Sequence, residues 1–192
     1  PPQVREAMRE YRILSTRVLY FESDQNGDIP VPIQYPRESM ITIGTHDMPP
    51  LKAFLKGKDI ELREKLGLFT QEVASKQFIQ RAERIRKIKY KLIEWGFLIE
   101  PSDFYELLDA LFHYLAATPS ILKVINLDDL LESDVLINLP GTINEYPNWR
   151  HQLIIQPLEL EKKIQKMESS FRASGKDSNG DNSIHSKKES ST

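Results

Sequence analysis

The most constraining feature of this sequence is a short apolar run over residues 39–43 that ends in glycine, a His-Asp pair and two prolines. Its large apolar side chains suit a strand that is covered on both faces, as parallel strands in α/β proteins are. Two prolines cannot continue a strand ladder, but they can occupy the first turn of a helix. The sequence therefore predicts a strand, a short βα loop that carries His46 and Asp47, and a helix.

Asp47 and His46 have two interpretations, which the local sequence leaves open. Enzymes built as α/β barrels keep their chemistry in the βα loops, which makes the pair a candidate site. Alternatively, Asp47 caps the following helix, because a carboxylate can accept hydrogen bonds from the free N–H groups of a first helical turn. His46 is then an ordinary polar residue beside the cap.

The composition of the chain argues against several classes of function. The 192-residue chain is 40% hydrophobic with a formal net charge of −2, which is typical of one globular domain. It has no basic stripe of the kind that binds nucleic acid and no apolar run near the about 20 residues that span a bilayer, so neither partner is expected. Without cysteine, disulfides, thiol nucleophiles and cysteine metal sites are excluded. The sequence contains no His pair at metal spacing and no phosphate loop, so no metal or cofactor is expected.

Strand and helix patterns alternate along the chain. Compact β-branched and aromatic runs predict two further strands, over 17–21 and 121–125. Helical spacing predicts helices near 1–12, 51–54, 59–66, 71–95, 103–115, 127–132 and 157–171. Thr70 is the predicted cap of the longest helix, and Asp103 with Glu106 predicts a capping box. The fold class is α/β and helix-rich, but three strands cannot close a barrel, so the chain is expected to be a piece of a longer protein.

Two later segments lack regular patterns. The connection over 134–149 is as long as loops that are usually functional or disordered, and its apolar residues argue against disorder. Residues 173–192 have no core-forming pattern, so a disordered tail, with a solvated His185, is expected after a domain over 1–172. Because no leader precedes the first helix, a cytoplasmic location is expected.

Two separated motifs resemble a known family, the 4-α-glucanotransferases of glycoside hydrolase family 77, also called amylomaltases. The first motif is Gly-Thr-His-Asp at 44–47, followed by proline. The second is Asn-Leu-Pro-Gly-Thr at 138–142 with Glu-Tyr-Pro-Asn-Trp at 145–149. The stretch 17–21 and the Tyr-Pro pair at 35–36 resemble the same family in order and spacing, and the similarity covers roughly residues 1–160.

The resemblance implies a (β/α)₈ barrel, of which these would be the last three strands, and retaining transfer of α-1,4-glucan segments between maltooligosaccharides or longer glucans. It implies that Asp47 holds sugar hydroxyls beside the reacting carbon and stabilises the transition state, while His46 binds the same sugar. It also implies that Asn138, Pro140 and Gly141 bind substrate near the acceptor side. Alternatively, the Pro-Gly pair only folds the loop back.

Other positions leave the function open. Trp149 either stacks on sugar or is a buried plug before the final helix, with Asn148 as the cap of that helix. Nothing before Gly44 resembles the family's nucleophile or acid/base, and the acid/base glutamate is expected just upstream of Pro1. The chain is therefore expected to be a C-terminal portion that is inactive alone. A non-catalytic helical binding module and an α-glucan hydrolase remain alternatives, because water in place of a sugar acceptor gives hydrolysis.

Overall fold

The chain folds into helices around a small parallel sheet, as the sequence predicts. The computed structural model describes residues 2–177, and the side chains of residues 2–172. A single 3₁₀ turn (Pro32–Gln34) lies between the first two strands. The other elements are α1 (Pro2–Glu10), β1 (Ser15–Val18), β2 (Ser39–Thr42), α2 (Leu51–Lys56), α3 (Lys58–Lys65), α4 (Gln71–Glu94), α5 (Phe104–Ala116), β3 (Leu122–Val124), α6 (Leu127–Leu130) and α7 (Pro157–Asp177). Within residues 2–177, none of these helices combines the length and the apolar character that crossing a membrane requires.

The three strands form one parallel sheet in chain order, β1-β2-β3. Thr42 at the end of β2 is level with Val18 at the end of β1 and with Val124 at the end of β3. Because the strands are parallel, their carboxyl ends share one edge of the sheet. The loops that follow β1, β2 and β3 therefore begin side by side, which is the arrangement that α/β folds use for their sites.

The two faces of β2 are covered differently. Ile41 and Ile43, on one face, are 0% and 2% exposed and belong to the main apolar core. That core includes side chains from α2, α4 and α5, namely Leu51, Phe54, Ile88, Leu92, Leu107 and Leu111. On the opposite face, Met40 and Thr42 line an open cleft. The helices thus cover one side of the sheet, and the cleft occupies the other.

Tyr114 on α5 ties the helical layer to the segment between β1 and β2. Its side chain is 0% exposed. Its hydroxyl donates to the Pro30 carbonyl oxygen at 2.8 Å, and the Tyr35 hydroxyl is hydrogen-bonded to the same Tyr114 oxygen at 3.0 Å. Its ring stacks on Trp95 with 5.9 Å between ring centroids. Burial raises the pKa of Tyr114 far above its ordinary value and that of Tyr35 to about 12, so both remain neutral hydrogen-bonding groups.

The predicted caps of the two long helices are confirmed. Thr70 Oγ1 accepts a hydrogen bond from the Val73 amide at 3.3 Å at the start of α4. At the start of α5, Asp103 Oδ1 accepts from the Glu106 amide at 2.9 Å, and Glu106 Oε2 accepts from the Asp103 amide at 2.8 Å. These contacts are local, and local sequence was enough to find them.

The first strand differs from its prediction over 17–21. It begins at Ser15 and ends at Val18, although the Leu19 amide still donates to the Thr42 carbonyl oxygen at 2.9 Å. A turn then ends the strand, because the Phe21 amide donates back to Val18 at 2.9 Å, and Phe21 itself is 70% exposed. At the other end of the chain α7 runs to Asp177. The disordered tail was predicted from residue 173, so its first five residues, 173–177, are helical instead. The rest of the predicted tail, with His185, lies outside the described residues.

Candidate active site

His46 and Asp47 lie in the βα loop between β2 and α2, as the sequence predicts. The loop makes a tight turn in which the Met48 amide donates to the Thr45 carbonyl oxygen at 2.9 Å. The side chains of His46 and Asp47 are 59% and 52% exposed at the tip of this turn. Both therefore face solvent at the carboxyl edge of the sheet.

Asp47 contacts two other residues that the sequence singles out. His46 Nε2 lies 3.4 Å from Asp47 Oδ2, and Asn138 Nδ2 donates to Asp47 Oδ1 at 2.6 Å. Asn138 belongs to the long connection after α6, so the fold brings together residues that are 91 positions apart. An ionised carboxylate can accept about four hydrogen bonds, and Asp47 therefore keeps capacity for a bound molecule.

The capping interpretation of Asp47 is wrong. The residue that precedes α2 is Pro50, which has no side-chain oxygen, and the Leu51 amide donates instead to Asp129 Oδ1 at 2.6 Å. Asp129 lies on α6 and is 1% exposed. Burial raises its pKa to about 6. A cap from a distant element leaves no local pattern, which is why the sequence assigned the role to Asp47.

Trp149 is not a buried plug. Its side chain is 60% exposed, and its ring centroid lies 5.1 Å from that of His46 at an interplanar angle of 51°. The residue has a φ of 61°, in the left-handed region that a bulky residue seldom adopts. Its amide donates to the Ile137 carbonyl oxygen at 2.9 Å. Trp149 therefore extends the polar rim formed by His46 and Asp47 with an exposed aromatic face.

Asn148 is likewise not the cap of the last helix, because α7 begins at Pro157. It instead closes the loop that carries Asn138. Its Oδ1 accepts from the Leu139 amide at 2.8 Å, and its Nδ2 donates to Thr142 Oγ1 at 2.8 Å. These side-chain bonds fix an irregular loop that has no strand or helix of its own.

Pro140 and Gly141 form the tip of this loop. The Thr142 amide donates to the Leu139 carbonyl oxygen at 3.2 Å across them, and Gly141 has a φ of 89°, which favours glycine. Both residues are exposed. Among the described residues, no hydrogen bond joins either of them to the His46–Asp47 turn, so the geometry supports their role in the turn and leaves substrate binding as a prediction.

A cleft of about 350 Å³ lies beside the turn. Its lining residues come from β2, β3 and the loops that follow them, and include Met40, Thr42, Gly44, Thr45, His46, Met48, Pro50, Val124, Asn126, Leu127, Asp128 and Ile137. The described residues contain no cluster of three His, Asp or Glu side chains that could hold a metal ion. The cleft is therefore an open, mixed polar and apolar groove along the carboxyl edge of the sheet.

Three residues after β3 belong to this site and were missed by the sequence reasoning, which read the segment only as a helical turn. Asp128 lines the cleft, burial raises its pKa, and its Oδ1 is buried without a side-chain or backbone partner beyond its own residue. Asn126 Nδ2 donates to the Gly44 carbonyl oxygen at 2.9 Å, and Asp129 caps α2. Two adjacent aspartates directly after a strand were the signal, because strand ends are where α/β sites form.

Gly44 is required by close packing. A Cβ at this position would lie 2.9 Å from Tyr20 Cε2, which is closer than real Cβ atoms come to a neighbouring atom. The Tyr20 ring has little room to move, because it stacks on Phe54 with 4.0 Å between ring centroids and 7° between ring planes. The glycine of the Gly-Thr-His-Asp motif therefore lets the turn approach the core directly after β2.

A comparison with sequence models of protein families identifies the family of this chain. The sequence model of glycoside hydrolase family 77, described as 4-alpha-glucanotransferase, matches residues 1–156. The chain belongs to this family. Both motifs that carry the resemblance, at 44–47 and 138–149, fall inside the matched range.

Curated relatives support the same family. The 4-alpha-glucanotransferase of Haemophilus influenzae is 36% identical over 166 residues, which cover 82% of this chain and 24% of the relative. The 4-alpha-glucanotransferase of Mycobacterium bovis is 36% identical over 169 residues, covering 83% of this chain and 23% of the relative. The chain thus spans about a quarter of the length of the curated family members that it matches.

Two solved structures of amylomaltases share the fold of this chain. The amylomaltase of Corynebacterium glutamicum matches with a TM-score of 0.80 at 24% identity, over 89% of this chain and 27% of that one. An amylomaltase of Streptococcus agalactiae in complex with acarbose matches with a TM-score of 0.59 at 15% identity, over 91% of this chain and 30% of that one. At these identities the likeness concerns the fold.

Proposed function

We propose that this chain is the C-terminal part of a (β/α)₈ barrel and that the protein transfers segments of α-1,4-glucan from one glucan chain to another with retention of configuration. The observation that carries the proposal is the environment of Asp47. Its carboxylate is half exposed beside His46 and Asn138, and Asp129 performs the capping that would otherwise explain it.

The sheet supports the barrel part of the proposal. Three parallel strands follow one another in chain order, and helices α2, α4 and α5 pack on the face that carries Ile41. A barrel needs this arrangement, since its strands are parallel and its helices lie outside. The cleft at the carboxyl edge then corresponds to the face of a barrel that carries the chemistry. The match to part of an amylomaltase with a TM-score of 0.80 supports the same architecture.

The retaining reaction assigns a supporting role to Asp47. Retaining enzymes use a carboxylate nucleophile and a second carboxyl group as acid and base, about 5 Å apart across the scissile bond. We place both groups in another part of the protein. Asp47 accepts hydrogen bonds from sugar hydroxyls next to the reacting carbon, and these bonds strengthen as the sugar approaches an oxocarbenium-like transition state.

The neighbours of Asp47 complete the sugar site. His46 hydrogen-bonds the same sugar, and Asn138 holds the carboxylate in position through its 2.6 Å bond to Oδ1. The exposed ring of Trp149 supplies an apolar face on which a sugar ring can stack. Pro140 and Gly141 place the loop tip near the acceptor. The family names of the relatives and the acarbose complex of the Streptococcus agalactiae amylomaltase support a glucan substrate.

The test is Asp47→Asn in the full-length protein, with maltotriose as substrate. Asparagine keeps the size of the side chain and an oxygen that can accept from Asn138, but it removes the charge. Loss of a charged acceptor in the transition state costs several kcal/mol, so we expect a transfer rate lower by about two orders of magnitude or more. The melting temperature should stay close to that of the parent, because Asp47 caps no helix.

Asp134→Asn is the matched control, because it makes the same chemical change at a carboxylate that pairs with Lys56 and Lys58 on the surface. Its transfer rate should equal the parental rate. Chains longer than maltotriose among the products identify transfer, whereas glucose and maltose alone identify hydrolysis. An Asp47→Asn enzyme that keeps more than about a third of the parental rate would contradict the role of Asp47.

A further inference from the structure

The loop that carries His46 and Asp47 is held at both ends by one short segment that follows β3. Before the turn, the Gly44 carbonyl oxygen accepts from Asn126 Nδ2 at 2.9 Å. After the turn, the Leu51 amide donates to Asp129 Oδ1 at 2.6 Å. Asn126 and Asp129 lie three residues apart at the start of α6, directly after β3. This segment, residues 126–129, therefore bonds to both ends of the loop that runs from Gly44 to Leu51; it is named the brace.

The same loop is fixed from the opposite side by packing. The Tyr20 ring lies against Gly44, and its hydroxyl donates to the Pro49 carbonyl oxygen at 3.4 Å. The two prolines at 49 and 50 have restricted φ angles. With both ends bonded and one side packed, the remaining freedom of the loop is concentrated in the Asp47 turn, whose position depends on these anchors.

The brace is built from a group that is costly to bury. Asp129 is 1% exposed, and removing a carboxylate from water is unfavourable unless its hydrogen bonds compensate. One cap adds only modestly to the stability of a helix of six residues. The bond to Leu51 also fixes the place of α2 relative to α6, and this second effect acts on the site.

We propose that Asp129, with Asn126, is a positioning residue that sets the orientation of Asp47 in the glucan site. This inference rests on the proposed role of Asp47. Neither residue needs to touch the reacting atoms. A displacement of about 1 Å in a group that acts in the transition state can lower a rate by about a hundredfold.

The first experiment compares Asp129→Ala with Asp129→Asn in the full-length protein. Alanine removes the acceptor for the Leu51 amide, so we expect kcat for transfer from maltotriose to fall by about tenfold or more, with KM within about twofold of the parent. Asparagine keeps an oxygen at the same place and should restore most of kcat. Asn126→Ala removes the Gly44 anchor and the side-chain hydrogen bond from Asn126 to Asp129, but it keeps the carboxylate that accepts from Leu51, so we expect a smaller fall in kcat.

Asp103→Ala is the matched control, because it removes the cap of α5, a helix whose cap does not contact the loop. Both alanine variants lose a helix cap and should melt a few degrees lower. Only Asp129→Ala should lose kcat. If Asp129→Ala has parental kcat, or if Asp103→Ala loses as much, the positioning role is refuted. Should Asp129→Ala not fold, parental kcat in Asn126→Ala refutes it.

A double-mutant cycle separates this proposal from the proposed function. If Asp129 acts through Asp47, Asp129→Ala should lower the rate of the Asp47→Asn enzyme much less than it lowers the parental rate. Full additivity of the two losses refutes positioning while leaving the role of Asp47 intact. If Asp47→Asn itself has a near-parental rate, the proposed function fails first, and the positioning role fails with it.

Discussion

The residues on the two sides of β2 are held in place by different kinds of interaction. On the helix side, Ile41 and Ile43 are held by apolar contact with three helices, and their positions depend on burial. On the cleft side and beyond its end, Asp47 and its neighbours are held by single hydrogen bonds from distant loops. Packing is non-directional and tolerates redistribution, whereas a hydrogen bond fixes direction as well as distance.

This difference indicates where substitutions should act. A change on the helix side removes burial and should alter the free energy of unfolding while leaving the chemistry of folded molecules intact. A change at Asp47, which is half exposed and caps no helix, should do the reverse. The following experiments, in order of decreasing expected effect, test that separation in the full-length protein.

Ile41→Ala should give the largest loss of stability. The side chain is 0% exposed in the middle of β2, and truncating a buried isoleucine to alanine costs about 2–5 kcal/mol. The specific transfer rate of the folded protein should stay within about twofold of the parent. Chemical denaturation measures the stability, and rates normalised to folded protein measure the activity. A large fall in that normalised rate would contradict the expectation that changes on the helix side leave the activity of folded molecules intact.

Asp129→Asn should change how stability depends on pH. The folded pKa of Asp129 is about 6, raised from 3.8 by burial, so the folded state binds its proton more tightly than the unfolded state. The parent therefore loses stability as pH rises from about 4 to 6, and the loss remains at higher pH. At about 1.4 kcal/mol per pKa unit, its size is on the order of 1–3 kcal/mol. Asparagine does not titrate and should remove this dependence.

The measurement for Asp129→Asn is denaturant unfolding of the parent and the variant at intervals from pH 4 to pH 7. The stability of the parent relative to the variant should fall across this range. Asp103→Asn changes an exposed cap in the same way and serves as the control. Parallel curves for parent and Asp129→Asn would mean that Asp129 titrates alike in the folded and unfolded states.

Tyr114→Phe should give the smallest of these effects. It removes the hydroxyl that donates to the Pro30 carbonyl oxygen and hydrogen-bonds with the Tyr35 hydroxyl, but it keeps the buried ring. Losing a hydrogen bond of this kind costs about 1 kcal/mol, and the Pro30 carbonyl oxygen is left without that donor. Thermal unfolding should detect a fall of a few degrees with no change in specific activity. A change in activity would indicate that the segment around Pro30 reaches the site.

The sequence predicted those features whose causes are local. Thr70, Asp103 and Glu106 cap the helices that follow them, and the strand at 39–43 ends where glycine and proline require it. The position of His46 and Asp47 just after a strand was also predicted, because the apolar run before them and the two prolines after them determine it.

The errors concern contacts between distant residues. Asp47 looked like a cap because the true cap, Asp129, lies 78 residues after the Leu51 amide that it binds. Trp149 looked like a buried plug because large aromatic residues usually are buried, yet its backbone has a φ of 61° and its ring is exposed beside His46. Neither the pairing of two loops nor a left-handed backbone at tryptophan is encoded in a short window of sequence.

The bond between Leu51 and Asp129 also orders the events of folding. α2 is synthesised long before the aspartate that caps it, because the residues of α3, α4, α5 and β3 precede that aspartate in the chain. Contacts of such large sequence separation form late, since the entropy of closing the long loop must first be offset. During synthesis the second end of the His46–Asp47 turn therefore lacks its bond to Asp129 until the chain beyond β3 has been made.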